Sequence, residues 1–542
     1  MIGLPGLKPG CADLPEVRLL HRAWSSQMGL MFAAGGRQAT AGSLMCRYGV
    51  NLKLTREDDA GRMREALAAF ARELRGGAAQ PAQGACFAVV SGDGTAAFLK
   101  TLNDSLESFG PGYTAKVVGA AGMSRGENKL MGPPAWKADP AASRGGLAAG
   151  TLRDGDWNVA QKWLTDNGLC NNPDEQTWDA QCLNWVAAAD SIDAAEKYVA
   201  DYCETRPVVE HGRRTGAKKK VCVDSVVTGT PGDATVAKKR GGLVAIVSTR
   251  EYGSQMPAAI IGIDRWMKDN PKIVEGLLAA VLQGGEQVKK REEALQKAAE
   301  VSAEVYGETD ADGWRRYYDG TKERDKQGLL VDLGGSSVSN LADNLVLFGL
   351  LRGTSNLFAA TYTVFGDIAH RQYPELVPSY PPVDDILDTT YLQAVAGRSR
   401  VGQSATAAAQ PAFAPATFTG RLRNVVSRRA WQITFQTGSA DFSPDARQAL
   451  EQLLRDLLVA SGTVVEVHGH TDNVGSPKAN LDLSEARAFA VKEWLEKQAP
   501  VNFPDGRLRV FVHGQQNPVA PNATEAGRAR NRRVEIVLGT TG

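Results

Sequence analysis

The stretch VEVHGHTDNVGSPKANLDLSEARA, residues 465–488, reads as a strand, a loop carrying two acids, and a helix start capped by Ser484. That cap places Arg487 in the first helical turn. Unpaired N–H groups and the helix dipole favour anions at that end, so a cation there is locally disfavoured. A residue that breaks a local rule is a candidate for a site rather than for scaffolding.

Around this stretch, residues 428–542 alternate strand and helix. WQITF (431–435) has the period-two pattern of a strand. Ser443-Pro444 supplies an N-cap and a proline at the first helical position; Leu450, Leu453, Leu454, Leu457 and Leu458 form one apolar face, and Gly462 stops the helix. VVEVH (464–468), LRVFVH (508–513) and RVEIVL (533–538) read as three more strands, and Ala488, Val491 and Leu495 as the buried face of the helix after Ser484. The expectation is a small α/β sandwich with helices on one side of a sheet.

GHTDNVGSPKANLDLSEARA, preceded by FQTGSADF (435–442) and followed by GQQNPVAPNATEAGRARNRRVEI (514–536), resembles the OmpA C-terminal family shared with MotB- and Pal-type proteins. The resemblance runs through 430–538 and implies peptidoglycan binding. In that family an aspartate and an arginine grip the free α-carboxylate and α-ammonium of a diaminopimelate side chain. By motif match these are Asp472 and Arg487. Asn480, Thr471 and the loop from Leu481 to Leu483 complete the walls, and Asn531 and Arg532 brace the floor. The chemistry agrees, because a zwitterionic end needs one carboxylate acceptor and one planar guanidinium able to hold a carboxylate bidentately. Helix-start N–H groups would share the anion with Arg487. The plain alternative is a surface Asp–Arg ion pair worth under ~1 kcal/mol, which accounts for the pair but not the surrounding motif. His468 and His470 face one side of a strand, yet two ligands without a third earn no metal assignment, and no cofactor is assigned.

Residues 396–427, GRSRVGQSATAAAQPAFAPATFTGRLRNVVSR, lack apolar periodicity and read as a linker. Upstream lies a large module, 14–395. EVRLLHRAWSSQMGLMFA (16–33), YGVNLKLTREDD (48–59), RMREALAAFARELRGG (62–77) and GACFAVVSGDGTAAFLKTL (84–102) alternate strand and helix, which predicts a parallel sheet with ligands at strand carboxyl ends. Order and content resemble a periplasmic solute-binding protein of the two-lobed class that holds taurine- and thiamine-precursor-like ligands. The stretch 124–169 resembles the crossover into a second lobe, and 241–284 the return. The resemblance implies an α/β, bilobal, type II binding-protein-like module, with lobe 1 at about 14–120 and 255–395 and lobe 2 at about 121–254.

Contacts to a solute would come from strand-end turns: Trp24, Ser25 and Ser26; Ser91, Asp93 and Thr95; Ser124 and Arg125; and Thr228 and Tyr252 from the far lobe. Hydroxyls and helix-start amides suit a small polar or anionic ligand. Each of these residues also has a reading as an ordinary turn or cap. The SGDGT turn lacks the spacing of a phosphate-cradling loop. RRTGAKKK (213–220) reads as a solvated excursion, with contact to acidic cell-wall polymer as the functional alternative, and the charged helices of 285–328 as a solvated or partner face.

The chain has 542 residues, net charge +1, 43% hydrophobic and 23% charged content, which fits several globular units and argues against wholesale nucleic-acid binding. The longest apolar run, LVLFGLL (345–351), falls far short of the ~20 residues of a membrane helix, so no bilayer span is expected. The N-terminus has no secretory signal as written. Cysteines point outward all the same. Cys170/Cys182 and Cys203/Cys222 are close pairs in loop-like sequence and read as disulfides of an oxidising compartment, with scattered buried thiols as the alternative. Among Cys11, Cys46 and Cys86 the odd count leaves pairing open, 46–86 being a guess. The chain therefore reads as exported to the periplasm of a Gram-negative-type cell. Its leading function is a non-catalytic, wall-anchored solute binder. A platform for envelope protein partners stands second. An enzyme stands last, since no G-x-S-x-G, H-E-x-x-H or Cys–His signature occurs in a fitting context.

Overall fold

Apolar strands alternating with amphipathic helices give two open sheets in the first part of the chain. The computed structural model describes residues 3–210, 212–398, 421–436 and 438–541. The first sheet has the order Ser336–Val338, Ala115–Ser124, Pro257–Ile263, Phe87–Ser91, Glu16–His21, Asn51–Arg56. Glu16–His21 runs parallel to both Asn51–Arg56 and Phe87–Ser91, but Pro257–Ile263 runs antiparallel to its two neighbours. The expected parallel sheet is therefore mixed. It is parallel where short helical crossovers join the strands and antiparallel where the chain returns from the second lobe.

The second sheet has the order Val244–Ser248, Lys129–Gly132, Ser225–Thr228, Leu147–Gly150, Cys182–Ala187, Cys170–Asn171. The chain passes between the sheets through 125–128 and 249–256. These two crossovers are bonded to each other: Thr249 N–H donates to Asn128 O at 3.0 Å, and Gly126 N–H to Thr249 Oγ1 at 2.9 Å. The result is two lobes around a cleft. RRTGAKKK is not a loop but the second strand of a hairpin, Cys203–Glu210 with Arg213–Cys222, and its Arg213–Lys220 side chains are exposed.

Disulfides join Cys170 to Cys182 and Cys203 to Cys222. A third joins Cys11 to Cys46, which corrects the 46–86 guess. Cys86 is a buried free thiol at the edge of Phe87–Ser91, and burial pushes it up to about 12.

The C-terminal sheet has the order Asn424–Trp431, Val534–Thr540, Val464–His470, Leu508–Gly514. Helices Ala446–Val459 and Pro477–Gln498 bury Leu450, Leu453 and Leu457, and Ala488, Val491 and Leu495 respectively. Three expectations need correction. The first strand lies upstream of WQITF, so the tail of the linker (424–427) is strand; most of the rest of that linker, 399–420, lies outside the described residues. The first helix begins at Ala446, with Ser443 closing a turn through the Ala446 N–H. The helix ahead of Arg487 begins at Pro477, capped by the Ser476 hydroxyl accepting from Ala479 N–H. Arg487 therefore lies in the middle of a 22-residue helix, away from its positive end.

The C-terminal unit packs against the bilobal module. Lys162 Nζ, in helix Gly155–Asp166, lies 2.7 Å from Asp166 and 3.2 Å from Asp456 across the contact. Ser254 N–H donates to Val459 O at 3.2 Å, and Gly462 N–H to Glu251 O at 3.1 Å. Gly462 is required here by proximity, because a Cβ would sit 1.8 Å from Arg250 O. Arg507, fully buried, binds the carbonyls of Leu457, Ala460, Thr463 and Asn502 and so holds the docking loop.

Candidate functional site

Two places gather chemistry, one in each unit. In the C-terminal unit, Asp472 stands at the start of the loop between strand Val464–His470 and helix Pro477–Gln498. Its Oδ1 accepts from Val474 N–H at 3.0 Å and its Oδ2 from Arg532 Nη1 at 2.6 Å. Arg487 reaches the same rim from the long helix. Its Nε donates to Ser439 O at 3.1 Å and its guanidinium lies 4.9 Å over the Phe435 ring. No carboxylate is ion-paired to Arg487 among the described residues, although it is only 6% exposed. Burial and the neighbouring Arg532 hold its pKa below the ordinary arginine value, and Asp472 opposes them. A desolvated guanidinium without a counter-ion is an anion-binding group in waiting.

The other residues expected there fall into place with different duties. Asn480 Nδ2 donates to Asp472 O at 3.3 Å and Gln515 Oε1 at 2.9 Å. Thr471 is buried and its hydroxyl has no hydrogen-bond partner among the described residues. Leu481 is exposed and Leu483 half-buried. Asn531, fully buried, accepts from Val519 and Ala520 N–H and donates to Ala520 O and Asn522 Oδ1, so it braces a loop. Arg532 also pairs with Glu525 at 2.6 Å. Sequence reasoning missed Phe435, Ser439 and Gln515, although the first two stand in the FQTGSADF motif.

His468 and His470 gain a third ring, His513. His468 Nδ1 lies 2.8 Å from His513 Nε2, and the His470 and His513 rings stack at 4.6 Å. Parallel rings do not converge on a point, and no group of three candidate ligands suited to a metal occurs among the described residues. Burial pushes His470 down to about 4.

The second place is a cavity of about 160 Å³ between the lobes. Of the expected contacts, Trp24 and Ser91 line it. Ser25 lies one step behind, donating to Glu127 at 2.9 Å. Ser26 is buried with no partner for its hydroxyl among the described residues. Asp93 accepts from Gln255, and Thr95 closes its own turn onto Gly92 O. Ser124 binds Thr249, Arg125 binds Gly253 O, and Thr228 binds Ser191 O. Tyr252 donates to Asp166 at 2.9 Å, at the contact between the units rather than in the cleft. The walls are instead strongly acidic: Asp58, Glu127, Asp154, Asp156, Asp190 and Glu308 face Arg22 and Arg56. The sequence expectation of an anion-friendly wall rested on hydroxyls and helix-start amides. It missed carboxylates contributed by segments far apart in the chain.

Residues 434–532 match the OmpA family. These residues are an OmpA-family domain. The outer-membrane lipoprotein YfiB of Pseudomonas aeruginosa is 36% identical over 107 residues, which is 20% of this chain and 62% of that protein. The peptidoglycan-associated lipoprotein of the same organism is 37% identical over 102 residues, 19% of this chain and 58% of that one. The chain thus covers less than two thirds of these relatives, and all of that similarity falls within about one fifth of it. The periplasmic nitrate-binding protein NrtA of Synechocystis PCC 6803 superposes on 72% of this chain and 91% of its own, with TM-score 0.49 and 11% identity. The OmpA-family domain and the three disulfides together place the chain in the cell envelope. No helix among the described residues is long and apolar enough to cross a membrane.

Proposed function

We propose that the protein is a non-catalytic envelope component. Its OmpA-family domain holds peptidoglycan, and its bilobal module captures a small solute. Arg487 would take the free α-carboxylate of a diaminopimelate-type stem peptide and Asp472 its α-ammonium. The observation that carries this reading is the buried guanidinium of Arg487, seated on Phe435 beside Asp472 and lacking a carboxylate partner among the described residues. Asp472 is oriented by Arg532, while Asn480 fixes the loop that carries it. The test is co-sedimentation of the full chain with purified diaminopimelate-type sacculi, in competition with free meso-diaminopimelate. Sedimentation that the free amino acid cannot suppress would defeat the reading.

A second reading makes the bilobal module a platform for envelope partners. The exposed cationic strand Arg213–Lys220 favours it. A partner on that strand would be acidic, and its binding would weaken with salt.

A further inference from the structure

The charges in the interlobe cavity do not cancel. Arg22 is taken by Asp154 at 2.5 Å, and Arg56 by Asp58 at 2.6 Å and Glu308 at 2.5 Å. Asp190 caps helix Ser191–Val199 through the N–H groups of Ile192 and Asp193. Glu127 and Asp156 remain, and neither meets a cation among the described residues. Glu127 is 2% exposed; hydroxyls of Ser25 and Ser336 both bind its Oε2, while Oε1 receives no hydrogen bond from a described residue. Asp156 accepts from Asn128 Nδ2 and from Ser191 Oγ at 2.8 Å. Asn128, whose amide is oriented by that bond, leaves its Oδ1 buried without a donor among the described residues. Glu127 and Asn128 are neighbours on the first crossover, and both line the cavity.

Water cannot resolve this cheaply, because a buried carboxylate without a counter-ion raises its pKa and takes up a proton. Burial pushes Glu127 up to about 8 and raises Asp156 in the same sense, and each carboxylate also disfavours ionisation of the other groups around it. A bound cation could replace that proton. Trp24, 8% exposed, supplies an aromatic wall of the kind that favours cations, and its Nε1–H is buried without an acceptor among the described residues. A hard metal ion would need six or more converging oxygens, and no fitting cluster occurs among the described residues.

We propose that the cleft binds a small organic cation, an ammonium or amidinium compound that donates hydrogen bonds to Glu127 Oε1 and Asn128 Oδ1 and carries an acceptor for the Trp24 indole. This rests on the reading of the bilobal module as a solute binder and specifies the charge of its solute. Binding at neutral pH ionises Glu127, so each cation bound releases up to one proton to the buffer.

The test uses the full chain with four probes: ethanolamine, an ammonium with a hydroxyl acceptor, and guanidinium as cations, and nitrate and isethionate as anions. Melting temperature and calorimetry in two buffers of different ionisation enthalpy are the readouts. The expected result is stabilisation by at least one cation, with a buffer-dependent heat that reports proton release. Glu127→Gln should weaken that cation more than about tenfold and abolish the buffer dependence, because a neutral amide cannot balance the charge. Asp156→Asn, on the opposite lobe, should weaken it without abolishing the buffer dependence, and serves if the first variant does not fold. Stabilisation by nitrate or isethionate alone would overturn the charge assignment and leave solute capture standing. Cation binding unchanged in both variants would overturn the site. Silence from all four probes would overturn the inference together with the solute-binding reading, without touching peptidoglycan binding.

Discussion

Arg532 Nη1 donates to Asp472 Oδ2 at 2.6 Å, so the acid of the proposed grip is already engaged, whereas Arg487 beside it is not paired with any described carboxylate. The two groups of the proposed grip are therefore unequal before ligand arrives. Arg487→Ala should abolish sacculus binding, a loss of ~2–5 kcal/mol, since it strands a ligand carboxylate. Arg487→Lys should fail nearly as badly, because an ammonium cannot present a bidentate fork. Asp472→Asn should also abolish binding. Co-sedimentation checks all three, and retained binding by Arg487→Ala would remove Arg487 from the grip.

Arg532→Ala should leave the domain folded and weaken sacculus binding by less than either direct substitution. It unties Asp472 Oδ2 while Val474 N–H still holds Oδ1. An Arg532→Ala variant as dead as Asp472→Asn would make Arg532 a ligand contact in its own right.

The contact between the units should yield to two unrelated substitutions. Lys162→Met leaves the buried Asp166 without its cation, while the half-buried Asp456 keeps Arg429 at 3.4 Å, a cost of ~3–5 kcal/mol. Gly462→Ala forces a methyl onto Arg250 O. With a protease site inserted within 399–420, the cut wild-type fragments should co-elute on gel filtration, and either variant should separate them. Wild-type fragments that part on cutting would show the contact to be weak.

Stability should respond to pH in opposite directions in the two units. His470 stays neutral down to about 4 in the fold, but the unfolded chain takes a proton near 6.5. Its contribution is complete above about 6.5 and is lost as pH falls toward 4. Glu127 and Asp93, both pushed up to about 8 by burial, run the other way: the fold holds protons that the unfolded chain releases near 4. Their contribution is complete at low pH and is lost as pH rises to about 8. Hydrogen exchange at pH 5 and 8, corrected for intrinsic rates, should show protection falling at pH 5 around 464–470 and 508–514, and at pH 8 around the cleft. A uniform change across the chain would contradict this.

A non-reduced digest should yield linked peptides for Cys11–Cys46, Cys170–Cys182 and Cys203–Cys222. Cys86 should resist alkylation until the protein is unfolded, because burial keeps the thiol protonated. Labelling of Cys86 in the native protein would contradict its burial.

Much of this was legible in the sequence where the signal is local. The motif around Asp472 and Arg487, the two close cysteine pairs and the strand–helix alternation of the first module all depend on neighbours in the chain. The errors share a physical cause as well. Ser476-Pro477 and Ser484 are both acceptable helix starts; the first wins because Ser484 instead spends its hydroxyl on Leu481 O and Gly514 N–H across the fold. The broken dipole rule at Arg487 thus dissolves, and its unpaired charge remains as the real anomaly. Cys11 could be matched to Cys46 only by tertiary contact. The acidity of the cleft was invisible because its carboxylates come from positions as distant as Asp58 and Glu308.

The docking loop bears on Glu251 and Ser254, inside the second crossover on which the two lobes would swing. That choice of address has a mechanical consequence. If the wall polymer holds the OmpA-family domain still, part of any drag on the bilobal module reaches the hinge itself, through the backbone hydrogen bonds of Ser254 and Gly462 and the Ser254–Ser461 hydroxyl contact. Cell-wall tension and cleft aperture would then share a lever, and stretching the envelope would act on solute occupancy without any messenger between them.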